Sequence, residues 1–170
     1  LGESITAWET DNISHDATAR EYIIIDCPEA GTLKECIVAA GKDYTKVKNL
    51  KVTGQINVAD FDFMREQMNT LQSLNLKEVE IKAAKDVTYT GGILLHSGDD
   101  DEIPREAFAN KSTLIRCILP ENITKIGTSA FAGTNLSGSL IIPNNVIAIA
   151  NSVFSGCPFG GTLTLPRSLE

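Results

Sequence analysis

Between Asp101 and Glu170 one short phrase is written three times, at a fixed step of 23 residues. Phe108, Phe131 and Phe154 mark the step, each preceded by Ala107, Ala130 or Val153 and, five places back, by Ile103, Ile126 or Ile149. The columns continue through Cys117, Leu140 and Leu163, then Leu119-Pro120, Ile142-Pro143 and Leu165-Pro166, then Ile123, Val146 and Leu169. A run such as Ser139-Leu140-Ile141-Ile142 alternates inward and outward, and the Pro after it lacks the amide hydrogen a ladder needs. Each unit therefore predicts one short strand that stops where the chain must turn. A unit this short cannot cover its own apolar face, so the units have to stack with equivalent residues in register.

A step of 23 residues with a strand in each unit predicts an α/β leucine-rich repeat solenoid, right-handed, with parallel strands on one face and short helices or turns on the other. The pattern reaches back beyond the array. Leu50 with Val52, and Leu74 with Leu76, mark two earlier strands, the first of them over 47–53. Between them Ile56, Val58, Phe61, Met64 and Met68 outline an amphipathic helix that Asn57 or Ala59-Asp60 would start. Val79 and Ile81 close that unit. Further upstream, a β-branched run over 21–26 ends at Cys27-Pro28, and Gly31-Thr32 offers an N-cap for a helix over 33–40 with Gly41 as its stop. An insertion over 82–102 carries Val87-Thr88-Tyr89 and Ile93-Leu94-Leu95 around Thr90-Gly91-Gly92, a β-hairpin signal. The expected organisation is a polar arm over 1–20, an N-terminal cap with long-helix repeats over 21–81, the insertion, and three repeats over 103–170. The last repeat is incomplete, and 21–170 reads as one continuous domain.

Composition limits what such a chain can do. A formal charge of -7 and the lack of a basic face argue against nucleic acid and anionic membranes as partners. The longest apolar runs, Ile23 to Ile25 and Leu140 to Ile142, are far too short to span a bilayer. The opening Leu1-Gly2 has no initiator Met and is read as a chain trimmed of a signal peptide. The stop one strand into a unit, without a polar cap, predicts either a longer protein or end-to-end self-association of that last repeat. None of the four cysteines forms a C-x-x-C pair or a zinc pattern. Cys117 sits in a column otherwise filled by Leu140 and Leu163 and reads as a small buried hydrophobe. Cys27 and Cys36 lie across a strand-to-helix turn, either bridged or as free buried thiols.

No residue set demands catalysis or a cofactor. His15 and His96 are lone histidines, and a thiol hydrolase pairing Cys157 with His96 would place its nucleophile in a packing column. Asp99, Asp100 and Asp101 are a weak candidate for a calcium site, since clustered carboxylates suit a hard cation, but their spacing departs from the D-x-D-x-D-G loop. The surface of interest is the outward side of the strands. Lys51, Asn75, Ile118, Ile141 and Thr164 form one outward column, with Asn49, Ser73, Arg116, Ser139 and Thr162 beside it. Lys51, Asn75, Arg116, Ile118, Ser139 and Ile141 are the candidate binding residues, with Ile118 and Ile141 expected as an exposed apolar pair of the kind that anchors a partner.

Ile126-Gly127-Thr128-Ser129-Ala130-Phe131 and Ile141-Ile142-Pro143-Asn144-Asn145-Val146-Ile147-Ala148-Ile149 resemble the repeat I-G-x-x-A-F-x-x-C…L-x-x-I-x-I-P-x-x-V-x-x-I of the BspA-like leucine-rich repeat proteins of bacterial surfaces, with Cys157 at its cysteine. Ala30-Gly31-Thr32-Leu33 and Leu50-Lys51-Val52-Thr53-Gly54 look like the capping region of such proteins. The resemblance implies secretion or surface anchoring, adhesion to a host or matrix protein or to a glycan, and no catalytic residues. A rigid spacer within a larger multidomain surface protein is the alternative that the same residues leave open.

Overall fold

The β-branched run at the start forms β1 (Ile23–Cys27), stopped by Pro28 as its missing amide requires. The computed structural model describes residues 22–84 and 98–169, so the expected arm over 1–20 and the expected hairpin strands at 87–89 and 93–95 lie outside the described residues. A short helix, α1 (Leu33–Ala39), follows, then β2 (Asn49–Ile56), α2 (Val58–Glu66), β3 (Ser73–Asn75) and β4 (Val79–Ile81). Beyond the insertion come β5 (Glu102–Ile103), β6 (Arg116–Ile118), β7 (Lys125–Ile126), β8 (Leu140–Ile141), β9 (Ala148–Ile149) and β10 (Leu163–Thr164).

Every ladder among these strands is parallel, as stacked units require. β1, β2, β3 and β6 lie side by side, with Leu50 opposite Leu74 and Leu74 opposite Cys117, while β8 pairs with β10. The one-faced sheet expected from sequence is incomplete, because β5, β7 and β9 form a second ladder with Ile103, Ile126 and Ile149 in register. Each repeat thus visits two strands before its Phe turn. Ile56, placed by its periodicity at the start of a helix, is instead the last residue of β2 and pairs with Ile81 of β4. It belongs to the second-strand column, where it too stands five residues before a phenylalanine, Phe61.

The Phe residues form a continuous stack through the core. Phe61 meets Phe108 edge-on at 5.6 Å between ring centroids, Phe108 stacks on Phe131 at 5.5 Å, and Phe131 on Phe154 at 5.7 Å. Phe61 was legible only as part of a helix face. Its place in the column follows from the shared step after Ile56, and α2 is a lengthened version of the turn that carries each later Phe. Those turns run as single tight bends whose equivalent residues Glu106, Ser129 and Ser152 all adopt the left-handed region, at φ 55, 55 and 59°. Backbone bonds join them across units: Phe108 N donates to Ala130 O at 2.7 Å, and Phe131 N to Val153 O at 2.9 Å. Gly127 is required here by close approach, since a Cβ on it would lie 2.6 Å from Arg105 N.

The long-helix region is pinned differently. Thr32 was expected to cap α1, but its hydroxyl donates to Glu29 O at 2.7 Å and makes no cap bond to the helix. The acceptor comes from α2. Asp60, buried at the start of that helix, accepts from Leu33 N at 2.9 Å, Gly31 N at 2.6 Å and Asn57 N at 3.0 Å. It closes a capping box with Asn57 and satisfies α1 as well. Burial pushes its carboxyl pKa up, against the three N–H donors that hold it down. At the other end of α2, Lys111 Nζ donates to Arg65 O at 3.0 Å and Met68 O at 2.9 Å. Lys111 occupies the column of Thr134 and Cys157, so one long cation replaces a small side chain where the helix meets the array.

Inward residues run as one apolar cluster from Ile25 to Val153. The last unit departs from expectation: Leu163 and Leu165, read as inward, are 44% and 49% exposed, because an inward side chain is covered from both sides only when a unit lies on each side of it.

Candidate functional site

The ladder register aligns the expected outward column. Lys51 lies opposite Asn75, Asn75 opposite Ile118, and Ile141 opposite Thr164. Alternation along a strand makes these side chains leave the core, but it does not make them solvent-facing. Lys51 is 8% exposed and Asn75 and Ile118 are each 1% exposed. The expected exposed pair of Ile118 and Ile141 is therefore corrected: Ile118 is buried and Ile141 is half-buried. Neighbouring parallel strands lie about 4.8 Å apart, so a column packs against itself. In addition, the turn after β3 folds over two of its members. Glu78 Oε1 of that turn meets Lys51 Nζ at 2.9 Å, and Lys77 N donates to Asn75 Oδ1 at 2.9 Å. Parallel strands covered on both faces are the general rule, and β3, with all three residues buried, follows it.

Asn75 keeps a free donor in this setting, for its Nδ2 meets no acceptor among the described residues. Arg116 and Ser139 are half-buried at the strand starts. Ser139 Oγ accepts from Thr162 N at 3.0 Å, so that hydroxyl ties the last two strands together.

The open part of this side is a groove of about 380 Å³ lined by Lys77, Leu119, Glu121, Ile141, Pro143 and Asn144, with Ile142 beneath. It runs past the C-terminal ends of β3, β6 and β8, the last two of which are followed by Pro120 and Pro143 where the chain turns. Lys77 Nζ and Glu121 Oε1 form a 3.4 Å ion pair on its rim, bridging two units. Of the six residues singled out from sequence, Ile141 alone lines this groove. The other liners sit just after the strands: Leu119, Ile142 and Pro143 belong to the repeating Leu/Ile-Pro columns, while Lys77, Glu121 and Asn144 lie beside them.

The acidic run does turn work. Asp100 Oδ1 accepts from Ala83 N at 2.8 Å and Asp101 Oδ1 from Asn122 Nδ2 at 2.9 Å, while Asp101 N donates to Ile81 O at 3.1 Å. These bonds, with the antiparallel bridge between Ala84 and Gly98, fasten the base of the insertion. Among the described residues no three His, Cys, Asp or Glu side chains converge as metal ligands, and no helix is long and apolar enough to cross a membrane. Cys157 is a packing residue with its Sγ 3.2 Å from Phe131 O and 3.3 Å from Thr134 Oγ1. His15 and His96 lie outside the described residues.

A family model described as BspA type Leucine rich repeat region (6 copies) matches residues 101–170. No curated protein matches the chain.

Proposed function

We propose, from the match of residues 101–170 to the BspA type leucine-rich repeat model, that the chain is a non-catalytic binding module that adheres to a host or matrix protein, or to a glycan, at a cell surface or after secretion. The reading takes 21–170 as one right-handed solenoid. What carries it is the groove at the strand ends: three adjacent units contribute to it, its floor is apolar through Ile141 and Leu119, and an ion pair and an amide stand on its rim. A concave apolar floor with a few convergent polar groups is the usual form of a recognition site.

The six residues first considered divide under this reading. Ile141 is an anchor at the floor, while Asn75 is buried beside the turn that covers it. Lys51, Arg116, Ile118 and Ser139 hold the sheet beneath it.

The test is a binding screen of the purified protein on arrays of extracellular-matrix proteins and of glycans, with Ile141→Lys and Asn144→Ala as variants. Ile141 is half-buried at the surface, so its lysine variant should keep the wild-type circular dichroism and melting temperature. Binding by the wild type that falls at least about tenfold in I141K, a loss of about 1.4 kcal/mol, supports the groove. Binding that both variants retain removes it.

A rigid spacer is the second reading, favoured by the burial of Lys51, Asn75 and Ile118. It predicts no ligand on either array.

A further inference from the structure

The turn between β1 and α1 brings two thiols together. Cys27 is the last residue of β1 and Cys36 lies in the second turn of α1, and their Sγ atoms are 3.9 Å apart in a thiol–thiol contact. Both also reach one hydroxyl, Thr32 Oγ1, at 3.7 Å from Cys27 Sγ and 3.6 Å from Cys36 Sγ. Pro28 and the turn to Thr32 fix the path between them, and Asp60 holds that turn from the far side through Gly31 N and Leu33 N. The approach is therefore built into the fold.

We propose that Cys27 and Cys36 are a redox-closable dithiol that a small-molecule disulfide converts to an intramolecular bridge, bolting β1 to α1. A disulfide bond is about 2.05 Å long, so the sulfurs must approach by roughly 1.9 Å, which small side-chain rotations supply. The two thiols have separate roles. Cys36 is half-buried and open to an external reagent, whereas Cys27 is fully buried. The Cys36 thiolate attacks an external disulfide R–S–S–R, forming Cys36–S–S–R and releasing R–S⁻. Cys27 then loses its proton and attacks Cys36 Sγ, expelling the second R–S⁻. Two protein thiols are oxidised by two electrons, one external disulfide is reduced to two R–SH, and the two protons end on the departing thiols. Burial pushes the Cys27 thiol up to about 11, so its attack is the slow step.

Closure would matter because β1, among the described residues, ends its sheet and pairs only with β2. The bridge fastens this strand to α1, and only under oxidising conditions. It lies at the far end of the sheet from the groove and leaves the binding reading untouched.

The test treats the intact protein with excess oxidised glutathione, then unfolds it, alkylates it with iodoacetamide and maps the peptides by mass. The expected result is a peptide bridged between Cys27 and Cys36, lighter by about 2 Da than the dithiol form and carrying no alkyl group at either site. The melting temperature should rise by about 5 °C on oxidation and return on reduction. A Cys117→Ala/Cys157→Ser variant should keep that rise, and Cys36→Ser should abolish it. Because Cys27→Ser could fail to fold, the half-buried Cys36 carries the decisive substitution. Recovery of both cysteines fully alkylated, or of Cys36 only as a stable mixed disulfide with glutathione, overturns the proposal.

Discussion

The long-helix region over 23–81 and the array over 102–169 stack in the same way but are held by different chemistry. In the array the fastening is repetition itself. Backbone donors and acceptors meet their counterparts in the next unit, and Phe108, Phe131 and Phe154 stack ring on ring. Upstream, single side chains reach across the sequence to orphaned backbone groups, Asp60 to the start of two helices and Lys111 to the end of one. Regular units share their load among many equivalent bonds. A longer helix breaks the register locally and has more unsatisfied ends, so individual polar residues become indispensable there.

The largest effect should come from the middle of the Phe stack. Phe131→Ala opens a cavity between two rings in a fully buried site and should cost about 3–5 kcal/mol, whereas Phe154→Ala, at a half-buried ring, should cost about half as much. Urea titrations of both variants compare them, and equal losses would mean the array is not stacked cooperatively. Next comes the polar staple. Asp60→Ala orphans Gly31 N, Leu33 N and Asn57 N together, for an expected loss of about 3 kcal/mol. Hydrogen exchange should show α1 and the start of α2 opening first, and uniform loosening of the whole chain would erase the contrast between the regions.

The smallest effect is at the seam. Burial pushes Lys111 down to about 8 from 10.5, so between those values the unfolded chain binds the proton and the folded chain does not. Folding stability from this residue therefore rises as pH climbs from about 8 to about 10.5 and is flat below that window. The difference in melting temperature between wild type and Lys111→Met should change by about 3 °C across it, and a constant difference would show that the ammonium is solvated.

Much of the fold was legible because repetition turns one weak strand signal into several aligned ones. The core columns, the parallel stacking and the buried Cys117 followed from a single step length. The second ladder was not, since Ile103, Ile126 and Ile149 each stand in a two-residue strand too brief to show alternation. Asp60 was legible as a helix start but not as the cap of α1, because that bond joins residues distant in the chain. At the candidate site, alternation located the outward column and Ile141 within it. It could not see that the turn at Lys77 and Glu78 closes over Lys51 and Asn75, and it therefore overrated Ile118. The groove combines packing columns, Leu119, Ile142 and Pro143, with the polar Lys77, Glu121 and Asn144 that stand beside them, and only the packing columns were marked by repetition.

The bonds across the array have a consequence for its growth. Phe108 N reaches Ala130 O, Phe131 N reaches Val153 O, and Asn110 N reaches Ala132 O by the same offset, so the array keeps time like a screw thread. Excising 126–148 as a block would rejoin Lys125 to Ile149 with every column still in phase. Removing one residue more or fewer would throw each downstream side chain onto the wrong face. Gene-level duplication or loss of whole units is thus the change in length this part of the chain absorbs without relearning how to fold.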